Sequence, residues 1–161
     1  MRIDARLVAT VIALSIGGVV GCSSSTTPSS ATSEAAGTYA LTTINGAALP
    51  VTTVPSGINA NCTGITDTGT LVLSTSGSQS YTMTLNAHFV CATPPINNVT
   101  SSESGSWAAT TGQVTFTPRT NQWNLSSGTL SGSTLTVLLD APSYAPSGVS
   151  AGRVTTVWRK Q

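Results

Sequence analysis

The stretch Tyr81-Thr82-Met83-Thr84-Leu85-Asn86-Ala87-His88-Phe89-Val90-Cys91 decides the fold. Its odd-numbered positions are apolar and its even-numbered ones mostly polar, the two-residue period of a strand with one face in a core and the other in water. Shorter runs repeat the pattern. Tyr39 and Leu41 share a face, as do Leu71 and Leu73, Trp107 and Ala109, Val114 and Phe116, then Leu135, Val137 and Leu139, and finally Val154, Thr156 and Trp158. Between them stand turn signals: Asn45-Gly46, Ser76-Gly77-Ser78, Thr111-Gly112 and Gly132-Ser133. Pro50 interrupts residues 47–54 and marks an edge or a bulge, and two prolines make residues 141–151 a long loop. No stretch after Val20 keeps a helical period for more than two turns. About seven to nine short strands joined by hairpin-like turns predict an all-β fold. The expected architecture is a single antiparallel up-and-down β-barrel of about eight strands, with a two-sheet sandwich as second choice; closure removes the sticky edges of a Thr- and Val-rich sheet.

Ahead of the strands lies a different kind of sequence. Arg2 and Arg6 precede an apolar stretch over residues 7–20 that is short for a membrane span, and Val19-Val20-Gly21-Cys22 sets small residues before a cysteine. That tetrapeptide resembles the lipobox of bacterial lipoprotein precursors, with Val where Leu is usual. The resemblance implies cleavage before Cys22 and lipidation of its sulfur. Acyl chains add about 0.8 kcal/mol per buried methylene, so several chains on one residue anchor a domain firmly. Ser23, in a position where Asp is the exception, implies export to the outer membrane in a bacterium with two membranes. The expected organisation is therefore residues 1–21 as a cleaved signal, 22–36 as lipidated cysteine and flexible Ser/Thr-rich tether, and 37–161 as the barrel.

Composition narrows the partners. Downstream of Cys22, Arg119, Arg153, Arg159 and Lys160 balance Glu34, Asp67, Glu103 and Asp140. There is no basic stripe, and nucleic acid is excluded as a partner because phosphate binding needs clustered cations. The alternation of apolar residues with Thr and Ser argues against disorder, and β-branched Thr favours strands.

Several phrases also carry a resemblance. Gly37-Thr38-Tyr39 with Leu41, then Ile44-Asn45-Gly46 and Leu49-Pro50, resembles the opening of bacterial lipocalin-like lipoprotein domains and, more distantly, of META-type domains, both calycin-type small barrels. Glu103-Ser104-Gly105-Ser106-Trp107, Val114-Thr115-Phe116-Thr117-Pro118, Gly128-Thr129-Leu130-Ser131-Gly132 and Val157-Trp158-Arg159-Lys160 are similar to repeating phrases of that group. The GxW signature of lipocalins is absent, with Tyr39 in its place, so retinoid- or bilin-type binding is not implied.

Few residues offer chemistry. Cys62 and Cys91 are an even pair in an oxidising compartment. A bridge between them would close a loop of about thirty residues and contribute roughly 3–4 kcal/mol; two thiols or a metal pair are the alternatives, and two cysteines with one histidine do not complete a zinc site. His88, the sole histidine, lies three residues before Cys91 on one predicted strand, so the two face opposite ways and His88 reads as solvent-facing. Asp67, Glu103 and Asp140 are expected at separate turns or strand ends, and no nucleophile elbow or phosphate loop occurs. No catalytic residue, metal site or cofactor is expected. Tyr39, Tyr81, Phe89, Trp107, Phe116 and Trp158 either line a cavity for an apolar ligand or fill the barrel. Trp123 and Tyr144, in loops, are the candidates for contacts with envelope proteins or glycans. Asn98-Val99-Thr100 and Asn124-Leu125-Ser126 match glycosylation acceptors and are incidental beside a bacterial anchor.

Together these readings describe a non-enzymatic, lipid-anchored protein of the bacterial cell envelope. Its barrel binds a small apolar ligand or presents its loops to another envelope molecule; the rival is an interaction module with a filled core.

Overall fold

The computed structural model describes residues 29–53, 62–91, 97–119, 124–140 and 153–161. A short helix, α1 (Ser30–Ala35), precedes ten strands: β1 (Gly37–Ile44), β2 (Ala47–Ala48), β3 (Val51–Thr53), β4 (Cys62–Ser74), β5 (Ser80–Cys91), β6 (Asn97–Thr110), β7 (Gln113–Pro118), β8 (Asn124–Ser131), β9 (Thr134–Asp140) and β10 (Val154–Lys160). They form one sheet in the order β2-β1-β10-β9-β8-β7-β6-β5-β4-β3, and β1 also pairs with β4. That last pairing closes an antiparallel up-and-down barrel of eight strands, β1 and β4 to β10, with β2 and β3 as additions.

The hairpin chemistry works as its residue types require. Asn45 and Gly46 both have positive φ, 50° and 81°, the backbone of a tight turn whose twist matches its flanking strands. Gly77, Gly112 and Gly132 supply the left-handed residue in the other short turns. Alternation then sorts the side chains. On β9, Leu135, Val137 and Leu139 are buried while the residues between them are partly exposed, and Tyr81, Met83 and Leu85 do the same on β5. These inward positions merge in a single hydrophobic core that includes Tyr39, Leu71, Trp107, Phe116 and Trp158.

The two ends of the barrel differ. At one pole sit the start of β1, the end of β10 and the short β4–β5, β6–β7 and β8–β9 turns. Helix α1 covers this pole. Ser29 Oγ accepts from Thr32 N at 3.2 Å to begin it, Thr32 and Ala35 are buried, and Gln79 Nε2 donates to Thr32 Oγ1 at 3.4 Å. Lys160 Nζ donates to Glu34 O at 2.7 Å and lies 5.9 Å from the centroid of the Tyr39 ring. The expected structureless spacer is corrected here: residues 30–35 are helical and packed, because a barrel end needs a lid over its last layer of side chains. Six residues are too few to show a helical period.

At the opposite pole β3, β5, β7 and β9 end and β4, β6, β8 and β10 begin. Here β4, β5 and β6 outrun their neighbours. β1 pairs with β4 only through Gly37 to Ala40 opposite Leu73 to Thr70; beyond that the two diverge, β2 lying on β1 and β3 on β4. The upper parts of β4, β5 and β6, flanked by β3, form a flap projecting past the barrel. The strands that carry Leu71 with Leu73 and Trp107 with Ala109 thus begin well ahead of those pairs, at Cys62 and Asn97.

Candidate functional site

The lumen was one of two places where a ligand could sit. An internal void wide enough for water would leave exposed area on the side chains lining it, and Tyr39, Leu71, Met83, Val114, Leu135, Val137 and Trp158 have none. Their layers are filled by the protein itself. Polar tips in the core find partners. Trp158 Nε1 donates to Thr156 Oγ1 at 2.8 Å, and that hydroxyl donates to Val137 O at 3.0 Å. Trp107 Nε1 is shared between Ser74 O and Ser80 O at 3.0 and 3.1 Å, and Tyr39 Oη donates to Ala35 O at 2.7 Å. Tyr81 stands edge-on to Phe116, ring centroids 5.2 Å apart, and its hydroxyl is buried with no hydrogen-bond partner among the described residues.

Five of the six aromatics expected on the apolar face are therefore core residues. Phe89 is the exception. It is only half-buried and lies outside the core, opposite Gly64 and Asn97 on the flap. Its strand keeps the right alternation but has run past the barrel.

Glu103 departs further from expectation. Rather than ending a strand, it sits inside β6, opposite Met83 on the inward face, and is 1% exposed. Its Oε1 accepts from Ser104 N at 3.2 Å. Tyr81, opposite Gly105, is its diagonal neighbour on that face. Burial first, and the Glu103 charge second, push the Tyr81 phenol well above its ordinary pKa. Burial, then Glu34, likewise raise Tyr39.

The second locus is the outer face of the flap. Asp67 occupies a bulge in β4, where the register against β5 slips between Thr66 and Thr68. The extra residue aims its carboxylate at His88, whose Nδ1 lies 2.7 Å from Asp67 Oδ2. The pair is partly exposed, at 28% and 40% of the side chains, so His88 faces outward as expected, but with a partner that sequence did not reveal. Asn86 Nδ2 donates to Thr68 Oγ1 and Thr100 Oγ1 to Asn86 Oδ1, which extends a polar ladder across β4, β5 and β6. The arrangement orients an imidazole. Among the described residues no group of three or more His, Cys, Asp or Glu is placed to hold a metal ion. Asp140, at the end of β9, pairs with Arg153 at 3.3 Å.

Cys62 and Cys91 are direct cross-strand partners at the outer end of the β4–β5 pair. Opposed residues in an antiparallel pair have Cα atoms about 4.5–5.5 Å apart, within disulfide reach. Cys22, Trp123 and Tyr144 lie outside the described residues. Asn98 and Asn124 are exposed on β6 and β8. The chain matches no protein-family model, no curated protein and no solved structure.

Proposed function

We propose that this chain is a non-enzymatic, lipid-anchored protein of the bacterial envelope, held at the outer membrane through Cys22. Its filled barrel serves as a rigid stand whose far end is offered to another envelope molecule. The observation that carries this reading is the polarity of the barrel. The chain enters through α1 at the covered pole, and the ends of β3, β5, β7 and β9 lie at the other, so a tether at Cys22 turns that far end away from the lipid. The occupied lumen favours presentation over the binding of an apolar ligand. A closed eight-stranded antiparallel barrel is consistent with the calycin type and supports the lipocalin-like lipoprotein resemblance carried by Gly37-Thr38-Tyr39 and Trp107. A Cys62–Cys91 disulfide belongs to the same reading, since it would staple the flap at that far end.

Native mass spectrometry of the protein purified from its own host tests all three parts. The expected result is a diacylglyceryl mass on Cys22, a Cys62–Cys91 link in unreduced digests, and no small molecule bound to the folded chain. A co-purifying apolar ligand would overturn the filled-stand reading, and retention of Cys22→Ser in the membrane fraction would overturn the anchor.

A further inference from the structure

We propose that the covered pole of the barrel is a docking surface and that its occupant is the phospholipid headgroup layer carrying the anchor. The inference rests on the anchored reading above and adds a contact to it. Only Ser23 to Pro28 separate Cys22 from Ser29, where the described chain begins. Whatever their conformation, the Cα steps from Cys22 to Ser29 span at most about 25 Å. A flexible chain of that length has a root-mean-square reach of roughly 15 Å, and the headgroup region takes about 5–7 Å of it. On average, less than about 10 Å is then left between this pole and the headgroups. The far end stands elsewhere. β4 is 13 residues long, and at the tilt of a barrel strand that length sets the far end about 30 Å further out.

Every turn at this pole is described, and its chemistry suits a headgroup layer. Ser78 in the β4–β5 turn, Thr111 in the β6–β7 turn and Ser133 in the β8–β9 turn are exposed, as are Ser30, Ser33 and Glu34 on the outer side of α1. The exposed large hydrophobics, Val72, Val90 and Val99, lie on strands, so this pole rests on headgroups rather than wedging into the chains beneath. Its charged side chains are Glu34, Arg159 and Lys160, and the Lys160 ammonium is turned onto Glu34 O. Arg159, exposed at the end of β10, has no acid partner among the described residues, and the Glu34 carboxylate has no cation partner among them. A guanidinium offers a fork that fits a phosphate. One unpaired charge of each sign over a field of hydroxyls complements a zwitterionic layer, whose headgroups each carry a phosphate and an ammonium.

Such a surface binds weakly on its own, because exposed charges and hydroxyls exchange partners in water for similar partners on the lipid. The tether changes the balance. A short leash holds the pole at an effective concentration in the millimolar range, so a contact with a dissociation constant of about 1 mM is already made roughly half the time. Three turns spaced around the rim, with α1 between them, touch a plane together only when the barrel stands upright on it. A tilted barrel keeps one turn in contact and loses the others. The contact therefore fixes an orientation that a flexible leash does not impose, and it holds the far end facing away from the bilayer.

The test uses the full chain lipidated in its host and transferred to vesicles of phosphatidylcholine and phosphatidylethanolamine. Flotation with the vesicles reads the anchor: a chain left behind overturns the anchored reading and this surface with it. Among chains that float, a fluorophore is placed on Ser78→Cys, Thr111→Cys or Ser133→Cys at the rim, on Ser102→Cys on the wall, or on Asn98→Cys at the far end, all five positions being exposed. The unsubstituted chain serves as the blank, and lipids with a nitroxide on the headgroup serve as the quencher. The three rim labels are expected to be quenched alike, at least about threefold more than the wall label, with the far label unaffected. Wall quenching equal to that of the rim, or quenching of one rim label alone, overturns the docking surface and leaves the anchor standing. Arg159→Gln is expected to lower the rim-to-wall ratio at least about twofold without changing flotation. An unmoved ratio also overturns the surface, since proximity through the leash alone ignores that charge.

Discussion

Raising the pH above 10 should unfold this domain along a limb set by two phenols. Tyr39 and Tyr81 are buried, and both have their pKa raised above the ordinary value of 10.0 by burial and by a neighbouring carboxylate. In the unfolded chain each loses its proton near pH 10, while in the folded chain each holds it to higher pH. The native state then holds more protons, so stability is intact below the unfolded pKa and falls as pH rises beyond it. One pH unit above, a phenol that stays protonated in the folded chain costs about 1.4 kcal/mol; Tyr81, the strongly shifted one, carries that loss, and Tyr39 adds to it in the same direction. Few other groups confuse the measurement, because Lys160 is the chain's only lysine and arginines stay charged. Urea titrations at a series of pH values read the slope. Tyr81→Phe should remove about 1.4 kcal/mol of that loss, and Tyr39→Phe should remove the Tyr39 share from a lower baseline, since it also forfeits the bond to Ala35 O. The reasoning fails if Tyr81→Phe keeps the full slope, or if the phenolate absorbance of the folded protein shows both core tyrosines ionising near pH 10.

Three further outcomes are expected. Near neutral pH, Tyr81→Phe should raise stability by about 1 kcal/mol, because it removes a buried hydroxyl without a partner and keeps the edge-on contact with Phe116; a lower denaturation midpoint would contradict this. Gly69→Ala should destabilise by about 1–3 kcal/mol, since a Cβ there would stand 2.8 Å from both Leu41 Cβ and Leu85 Cδ2; an unchanged midpoint would contradict it. Asp67→Asn should alter stability by less than about 1 kcal/mol, the range for a partly exposed pair; a larger fall in the denaturation midpoint would contradict this.

Much of the barrel was legible where one face of a strand meets the core. The alternation of Tyr81, Met83 and Leu85, or of Leu135, Val137 and Leu139, states which side is buried, and Asn45-Gly46 states where the chain reverses. Legibility ended where burial ended. The first halves of β4 and β6, Cys62-Thr63-Gly64-Ile65 and Asn97-Asn98-Val99-Thr100, are strands because neighbouring strands lengthen them, not because a core demands apolar residues at every second place. Phe89 misled for the same reason, keeping the alternation of a core strand after the core had stopped. The bulge at Asp67 has no local marker, so its contact with His88 could be read only from the register. Glu103 looked like a surface acid because carboxylates seldom point inward. A signal for it did exist: Glu103 falls in step with Gly105, Trp107 and Ala109, the inward set of its strand.

The entry of the chain at the lidded pole bears on how the domain would take a pull. A load hung on the far end and resisted through residue 29 draws β1 along its own length. Its main-chain bonds to β10 on one side and β4 on the other are then sheared together rather than peeled one at a time, with the Lys160 clasp on Glu34 as the first stitch to part. Such a mount gives way late and all at once.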